Sequence, residues 1–271
     1  DPPGPAHQRR GRRLPGQDGT PSGRAAGRAS HHRVRTAVAH RGRCAADAGR
    51  PRGAYGEVEA LLVTQQRAEL VERAGLSLVV PDGIDGMCCG TPWASKGMST
   101  GHDIMQRRVN DQLIAATDGG RLPVVVDASS CTHGFQDMAE GIGITVVDAI
   151  EFVEDQVLER LEVAHKVDSV TLHPTCSATH LGIVDTLKRV AGAAAEDVHV
   201  PAEWNCCGYA GDRGMLHPEL TDAATRAEAA QVKEIGAQYH SSTNRTCELG
   251  LTRATGEDYH HILELLEQAT R

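Results

Sequence analysis

Six of the eight cysteines fall on a repeated frame. Cys88-Cys89-Gly90 is followed by Cys131-Thr132-His133-Gly134, and Cys206-Cys207-Gly208 by Cys247-Glu248-Leu249-Gly250. The later cysteine lies 42 positions beyond its pair in the first series and 40 in the second. Adjacent thiolates joined by a distant third can hold a soft metal or an iron–sulfur cluster. Cys176 supplies the second series with a fourth thiol, so Cys176, Cys206, Cys207 and Cys247 make a complete set for a cubane cluster or a tetrahedral zinc. The first series offers Cys88, Cys89 and Cys131, and the only cysteine before them is Cys44. Zinc normally draws on paired Cys-x-x-Cys knuckles, which are absent here, so an iron–sulfur centre of [4Fe–4S] type is expected, with zinc retained as the alternative for one site.

The repeat extends beyond the cysteines. Val79-Val80-Pro81 precedes the first pair and Val198-His199-Val200-Pro201 the second, while Gly97-Met98 and Gly214-Met215 follow them at similar distances. Such self-similarity marks an internal duplication. Between the cysteines the apolar periodicity alternates. Helices are expected near 55–74, 100–116, 150–161, 177–191, 218–235 and 257–268, and short apolar strands near 76–80, 122–126, 144–147 and 169–172. The expected fold class is α/β with a mainly parallel sheet, in two similar halves at 55–150 and 151–271. The metal-binding loops would then meet at the strand ends.

Residues 1–54 read differently. They hold 12 Arg, no Lys and 3 acids, with abundant Ala, Gly and Pro and almost no apolar period. Such text cannot offset its ordering entropy by burial, so a disordered or aberrant segment is expected. It carries a charge of +9, and the rest of the chain is strongly acidic, since the whole has a net charge of −8. An acidic body with 3% aromatic residues argues against a nucleic-acid partner. No apolar run is long enough to span a bilayer, and no secretory signal opens the sequence. Eight cysteines in that setting point to metal or redox use, in the cytoplasm or at the inner face of the membrane.

Several longer strings match a family. Cys88-Cys89-Gly90-Thr91-Pro92-Trp93-Ala94-Ser95-Lys96-Gly97, Asp127-Ala128-Ser129-Ser130-Cys131, His173-Pro174-Thr175-Cys176, Trp204-Asn205-Cys206-Cys207-Gly208-Tyr209-Ala210-Gly211-Asp212-Arg213-Gly214-Met215 and Asn244-Arg245-Thr246-Cys247-Glu248 carry the likeness. The chain resembles the cysteine-rich CCG domain of heterodisulfide reductases, of glycolate oxidase iron–sulfur subunits and of FAD-linked D-lactate dehydrogenases, the last group most of all. That resemblance implies a relay of electrons from a reduced flavin, after oxidation of a 2-hydroxy acid, toward a cytochrome or quinone, with peripheral attachment to the membrane compatible with the acceptor. FAD would sit on another domain or subunit, because nothing here resembles a flavin-binding half. The positions three before the late cysteines are Ala128 and Asn244 rather than cysteine, which departs from the heterodisulfide reductase pattern. A zinc-stabilised module that docks a flavoprotein is the second reading, and a heterodisulfide reductase-type subunit the third. Lys96, Asp212 and Arg213 flank the loops, as do Trp93 and Trp204. His133, His173, His180 and His217 lie near cysteines, where each serves as a helix-start or core-edge residue more readily than as a ligand.

Overall fold

A computed structural model describes residues 59–60, 65–81, 84–211 and 213–271. The segment 1–54, with Cys44, lies outside the described residues, as does Asp212. In chain order the elements are β1 (Glu59–Ala60), α1 (Gln65–Arg73), β2 (Ser77–Leu78), α2 (Thr91–Ala94), α3 (Ser99–Ala116), β3 (Val124–Val126), α4 (Ser129–Ala139), β4 (Val146–Asp148) and α5 (Ala149–Phe152). There follow β5 (Val167–Leu172), α6 (Cys176–His180), α7 (Val184–Ala194), β6 (Ala195–His199), α8 (Arg213–Leu216), α9 (Pro218–Ile235), β7 (Tyr239–Ser242), α10 (Arg245–Thr255), β8 (Tyr259–His261) and α11 (Ile262–Ala269).

All strand pairing among the described residues is parallel, so the fold class is α/β as expected. Strands β6, β5, β7 and β8 form one sheet in that order, with Val170 opposite Val198, Leu172 opposite Ser241 and Ser242 opposite His261. Two further pairs, β1 with β2 and β3 with β4, repeat parts of this arrangement in the first half. The order of elements also repeats. The β3–α4–β4–α5 run corresponds to β7–α10–β8–α11, and the helices α3 and α9 are both 18 residues long. Even the caps correspond: Asp148 accepts from Ile150 N, and His261 accepts from Leu263 N, each fixing the first turn of the helix that follows.

Strand β3 is buried on both faces, as parallel strands between helices are. Val125 belongs to a core that runs through both halves, with Leu70, Ile150, Leu172, Leu187, Val190 and Leu265. Val124 and Val126 face a smaller core beneath α3 and α4, with Val109, Leu113 and Met138. Helix α11 packs against α1, and α5 against α7, so each half lends its closing helix to the other.

Four expectations are corrected. Glu59–Ala60, inside the expected 55–74 helix, is a strand paired with β2, and the helix begins at Gln65. The expected 177–191 helix is two helices, because Gly182 turns into the left-handed region (φ 73°) between them. The 257–268 helix starts only at Ile262. Before it, Tyr259 and His261 point inward with His260 between them, the alternation of a strand. The 150–161 helix changes pitch, with a wide turn over Val153–Val157 and a tight one over Leu158–Arg160, and both Val153 and Val157 stay buried. No helix among the described residues is long and apolar enough to cross a membrane.

One ion-pair cluster ties the ends of this layer together. Glu267 on α11 is buried and receives Arg73 of α1 and Arg271, the latter through Nη2 at 2.9 Å and Nε at 3.1 Å. Burial works against ionisation of Glu267, yet hydrogen bonds from Arg271 and Arg73 hold its carboxyl below the ordinary value. A depressed carboxylate stabilises the fold fully above its unfolded value and ceases to do so as pH falls through the folded one. Glu267→Gln is therefore expected to lose ~1–2 kcal/mol at neutral pH. Urea unfolding of both proteins should show that gap closing below about pH 4.

Candidate functional site

Parallel pairing decides where the cysteines go. The neighbours β6, β5 and β7 all end at one edge of the sheet, where α/β folds place their sites. Beyond β5 the chain runs through His173 and Thr175 to Cys176, the first residue of α6, with the Thr175 hydroxyl capping that helix through Ala178 N at 3.0 Å. Beyond β7 it runs through Asn244 to Cys247, the third residue of α10. Beyond β6 it enters the loop that carries Cys206 and Cys207. The first half does the same: Cys131 is the third residue of α4 after β3, and Cys88 and Cys89 lie in the loop after β2.

In each half the second cysteine of the pair meets the later one. The Sγ atoms of Cys207 and Cys247 are 3.0 Å apart. The hydrogen bond from Cys247 is the largest cause that lowers the Cys207 thiol to about 6, helped by the Tyr209 backbone and the charge of His173. Cys247 is pushed well up in return, since two thiols in contact yield one proton far more readily than two. Cys89 and Cys131 form the matching pair: Cys131 is the main cause that lowers Cys89 to about 6, with Thr91 Oγ1 at 3.4 Å from the Cys89 sulfur, and Cys131 is pushed up. The remaining thiols join these pairs. Burial and the charges of Cys206 and Cys207 raise Cys176, which hydrogen-bonds Cys206. Burial raises Cys88, with Cys89 adding to it. All seven described cysteines are free. Cys89, Cys207 and Cys247 are buried, while Cys176 and Cys206 are exposed.

Glycine sets these contacts. Gly90 and Gly208 both take the left-handed conformation, with φ 78° and 70°. A Cβ on Gly208 would come within 2.9 Å of Leu220 O on α9, so the turn needs glycine both for its dihedral and for its closeness to the helix. The later Cys-x-x-Gly has a separate reason. On α4, Gly134 lies one turn after Cys131, and a Cβ there would stand 2.4 Å from Cys89 O. Its absence is what lets the Cys-Cys loop rest on the helix that carries the third thiol.

A short run of hydroxyls joins the two halves just behind the thiols. Thr243 Oγ1 lies 3.3 Å from both Ser129 Oγ and Thr175 Oγ1, and Asn244 Oδ1 accepts from Ser130 N at 3.2 Å. Ser130 precedes Cys131, Thr175 precedes Cys176, and Thr243-Asn244 leads into α10, so the seam fixes three thiol-bearing helix starts relative to one another.

The other polar residues divide clearly. His133 pairs with Asp137 at 3.0 Å and His217 with Glu219 at 3.2 Å, both on the surface, and His180 is exposed. Lys96 and Arg213 are exposed as well. Trp93 packs on Gly101 of α3, whereas Trp204 meets the His173 ring edge-on at 6.4 Å. His173 is fully buried, and its Nδ1 lies 2.7 Å from Glu228 Oε1 on α9. Sequence reasoning missed Glu228: it is 55 residues from His173, and only its place on the inner stripe of a helix otherwise lined by alanine, threonine and valine could have marked it.

The donors are soft: four thiols in the second half and three in the first, carried on neighbouring loops and helix starts and meeting in pairs. Among the described residues no three Cys, His, Asp or Glu side chains stand ready to share one metal ion. The 3.0 Å Cys207–Cys247 contact is shorter than the sulfur–sulfur edge of about 3.8 Å that Zn–S bonds of ~2.3 Å impose, so side-chain rotation must separate those two sulfurs around any inorganic centre.

Residues 44–136 and 170–252 both match the cysteine-rich domain family CCG, and the chain belongs to that family. The first match opens at Cys44, inside the segment set apart by its composition. Lactate utilization protein A of Macrococcus caseolyticus is 26% identical over 222 residues, which cover 73% of this chain and 86% of that protein. The glycolate oxidase iron-sulfur subunit of Escherichia coli is 24% identical over 220 residues, 74% of this chain and 53% of that subunit, so the chain spans about half of its length. Among solved structures, an aspartate racemase homologue from Pyrococcus horikoshii aligns over 80% of this chain and 100% of that one at TM-score 0.31 and 12% identity, too low to define a fold.

The two Cys-x-x-Gly glycines differ in a measurable way. A Cβ on Gly250 would meet only side-chain atoms, at 3.1 Å and beyond, whereas on Gly134 it meets backbone at 2.4 Å. Alanine inside a helix is otherwise favoured over glycine by ~0.5–1 kcal/mol. Gly250→Ala is expected to be nearly neutral and Gly134→Ala to cost ~2–3 kcal/mol, as read from denaturant midpoints.

Proposed function

We propose that this chain is the iron–sulfur electron-transfer part of an oxidoreductase system acting on a small 2-hydroxy acid, of the lactate or glycolate kind. The observation that carries this reading is the matched pairing of Cys89 with Cys131 and of Cys207 with Cys247. A thiol contact present in both halves of a duplicated chain suits a sulfur-bound centre in each. The names of the relatives, a lactate utilization protein and a glycolate oxidase iron-sulfur subunit, support the substrate class.

In the proposed arrangement the halves 55–150 and 151–271 each carry one site. Cys176, Cys206, Cys207 and Cys247 hold a [4Fe–4S] cluster, and Cys88, Cys89 and Cys131 contribute to a second centre, iron–sulfur or zinc. Such a cluster supplies one-electron storage and transfer when bound. Cys207 and Cys247 hold it from the buried side, Cys176 and Cys206 from the open side, and the Gly208 turn brings backbone amides toward the sulfurs. Met215, Leu216, Leu220 and Leu249, on α8, α9 and α10, are exposed apolar side chains of the kind a docking partner covers. The proposed partner there is the flavin-bearing domain or subunit of a D-lactate dehydrogenase-type system, holding FAD, with a cytochrome or quinone as final acceptor. Free cysteines suit the reducing cytoplasm, and a membrane-borne acceptor would draw the chain to the inner face of the membrane.

Anaerobic purification or reconstitution with iron and sulfide should give a brown protein whose broad visible band arises from sulfur-to-iron charge transfer. Cys207→Ala and Cys247→Ala should lose the iron of the second site, and Cys89→Ala that of the first. A colourless protein with stoichiometric zinc under the same conditions points to the zinc-stabilised docking module instead. Unchanged iron in all three variants removes the assignment of the thiols.

A further inference from the structure

The His173–Glu228 pair lies next to the second thiol set without belonging to it. Both side chains are enclosed, at 0% and 1% exposure, and their hydrogen bond of 2.7 Å uses His173 Nδ1 and Glu228 Oε1. The backbone holds the histidine twice more: its N–H donates to Ser241 O at 2.9 Å, and its carbonyl accepts from Ser242 Oγ at 3.2 Å. Trp204, two residues before Cys206, closes the ring from the side at 90°. Yet His173 Nε2, buried, meets no hydrogen-bond partner among the described residues. Buried polar atoms are nearly always partnered, and a bare one costs about 1–3 kcal/mol. A carboxylate on one ring nitrogen fixes the tautomer and orientation of an imidazole, so the nitrogen left over inside the protein has a set direction.

We propose that His173, oriented by Glu228, donates a hydrogen bond from Nε2 to the sulfur centre held by Cys176, Cys206, Cys207 and Cys247, and thereby sets that centre's reduction potential. The proposal rests on the iron–sulfur reading of the site and concerns a residue outside the four thiols. Those thiols already complete a cluster's ligand set, which leaves the imidazole the part of a donor and makes it a positioning and tuning residue. Its nearness to the thiol set follows from the chain: Cys176 lies three residues on, and Trp204, two residues before Cys206, meets its ring at 6.4 Å. The Nδ1–Oε1 hydrogen bond can take its hydrogen from either partner, and in both cases the ring can carry a hydrogen on Nε2. The burial of Glu228 is otherwise unexplained: its charge reaches Tyr259, whose phenol is raised by burial first and by Glu228 second. A hydrogen bond into cluster sulfur favours the reduced, more negative state and so raises the potential.

The test is an electron paramagnetic resonance-monitored redox titration of the anaerobically loaded chain and its variants. His173→Ala should lower the reduced-to-oxidised ratio of the second centre about tenfold at a fixed applied potential, a midpoint shift of about 59 mV for one electron. Glu228→Gln keeps the ring and the volume but replaces the carboxylate that orients Nδ1, and should shift the midpoint in the same direction. His173→Gln, which can offer an amide hydrogen to the same space, should recover part of the shift. The first centre should not move in any of them. Loaded variants with unchanged midpoints overturn the inference while leaving the proposed function intact. Loss of cluster in both His173→Ala and Glu228→Gln, with normal loading of the wild type, makes the pair a structural support and also overturns it. A wild type that takes up no cluster overturns both.

Discussion

Everything at the candidate site depends on sulfur being gathered at one edge of a parallel sheet. A parallel strand hands its following residues to the same side as its neighbours do, and β5 pairs directly with both β6 and β7. Cysteines far apart in sequence, at 176, 206–207 and 247, are thereby delivered together without any direct interaction needed to find one another. Once there, two buried thiols in contact cannot both ionise cheaply, and each pair divides into one low and one high member. On the proposed reading, a multivalent cation or a cluster core would resolve that conflict by replacing protons with metal.

The glycines follow from the same constraint. A Cys-Cys loop can reach the third thiol only by lying on the helix that carries it, and helices tolerate a loop at van der Waals distance only where a side chain is missing. Gly134 supplies that gap in one half, and the turn glycines Gly90 and Gly208 in both. The Cys-x-x-Gly string is therefore a packing motif joined to a ligand, with its spacing set by one helical turn. The two halves are not equal in this respect, since Gly250 is less crowded than Gly134. The looser contact belongs to the half in which two of four thiols remain exposed.

How much could be read beforehand depended on range. The cysteine series, the duplication and the long helices were legible because their signals lie within one element or one repeated spacing. Helix α9 announced both ends, with Pro218 at its first turn and Gly236 at its last. The short apolar strands β2 to β5 were legible, but β8 was not: Tyr259–His261 is three residues long, two of them histidine, and it is a strand only because β7 offers its edge. Glu59–Ala60 was missed for the same reason, as two residues carry no period at all. The Glu228–His173 contact was hard to read because it joins a strand end to the middle of a distant helix, and only the place of Glu228 on an inner helical stripe set it apart.

The seam of hydroxyls couples the two sites. Thr243 touches a residue before Cys131 on one side and a residue before Cys176 on the other, and Asn244 accepts from the backbone of Ser130. Three of the helices that present thiols are thus tied at their first turns, where a shift of the helix would move its cysteine directly. Tertiary exchange of α5 and α11 between the halves fixes other parts of the same layer. The thiol-bearing helix starts of one half are therefore held at a set distance from those of the other, by short hydrogen bonds rather than by flexible linkers. For electron transfer that matters more than stability does. On the proposed reading of two centres, a relay would need their separation fixed, and a duplicated fold with a core shared by both halves would meet that requirement in a single chain.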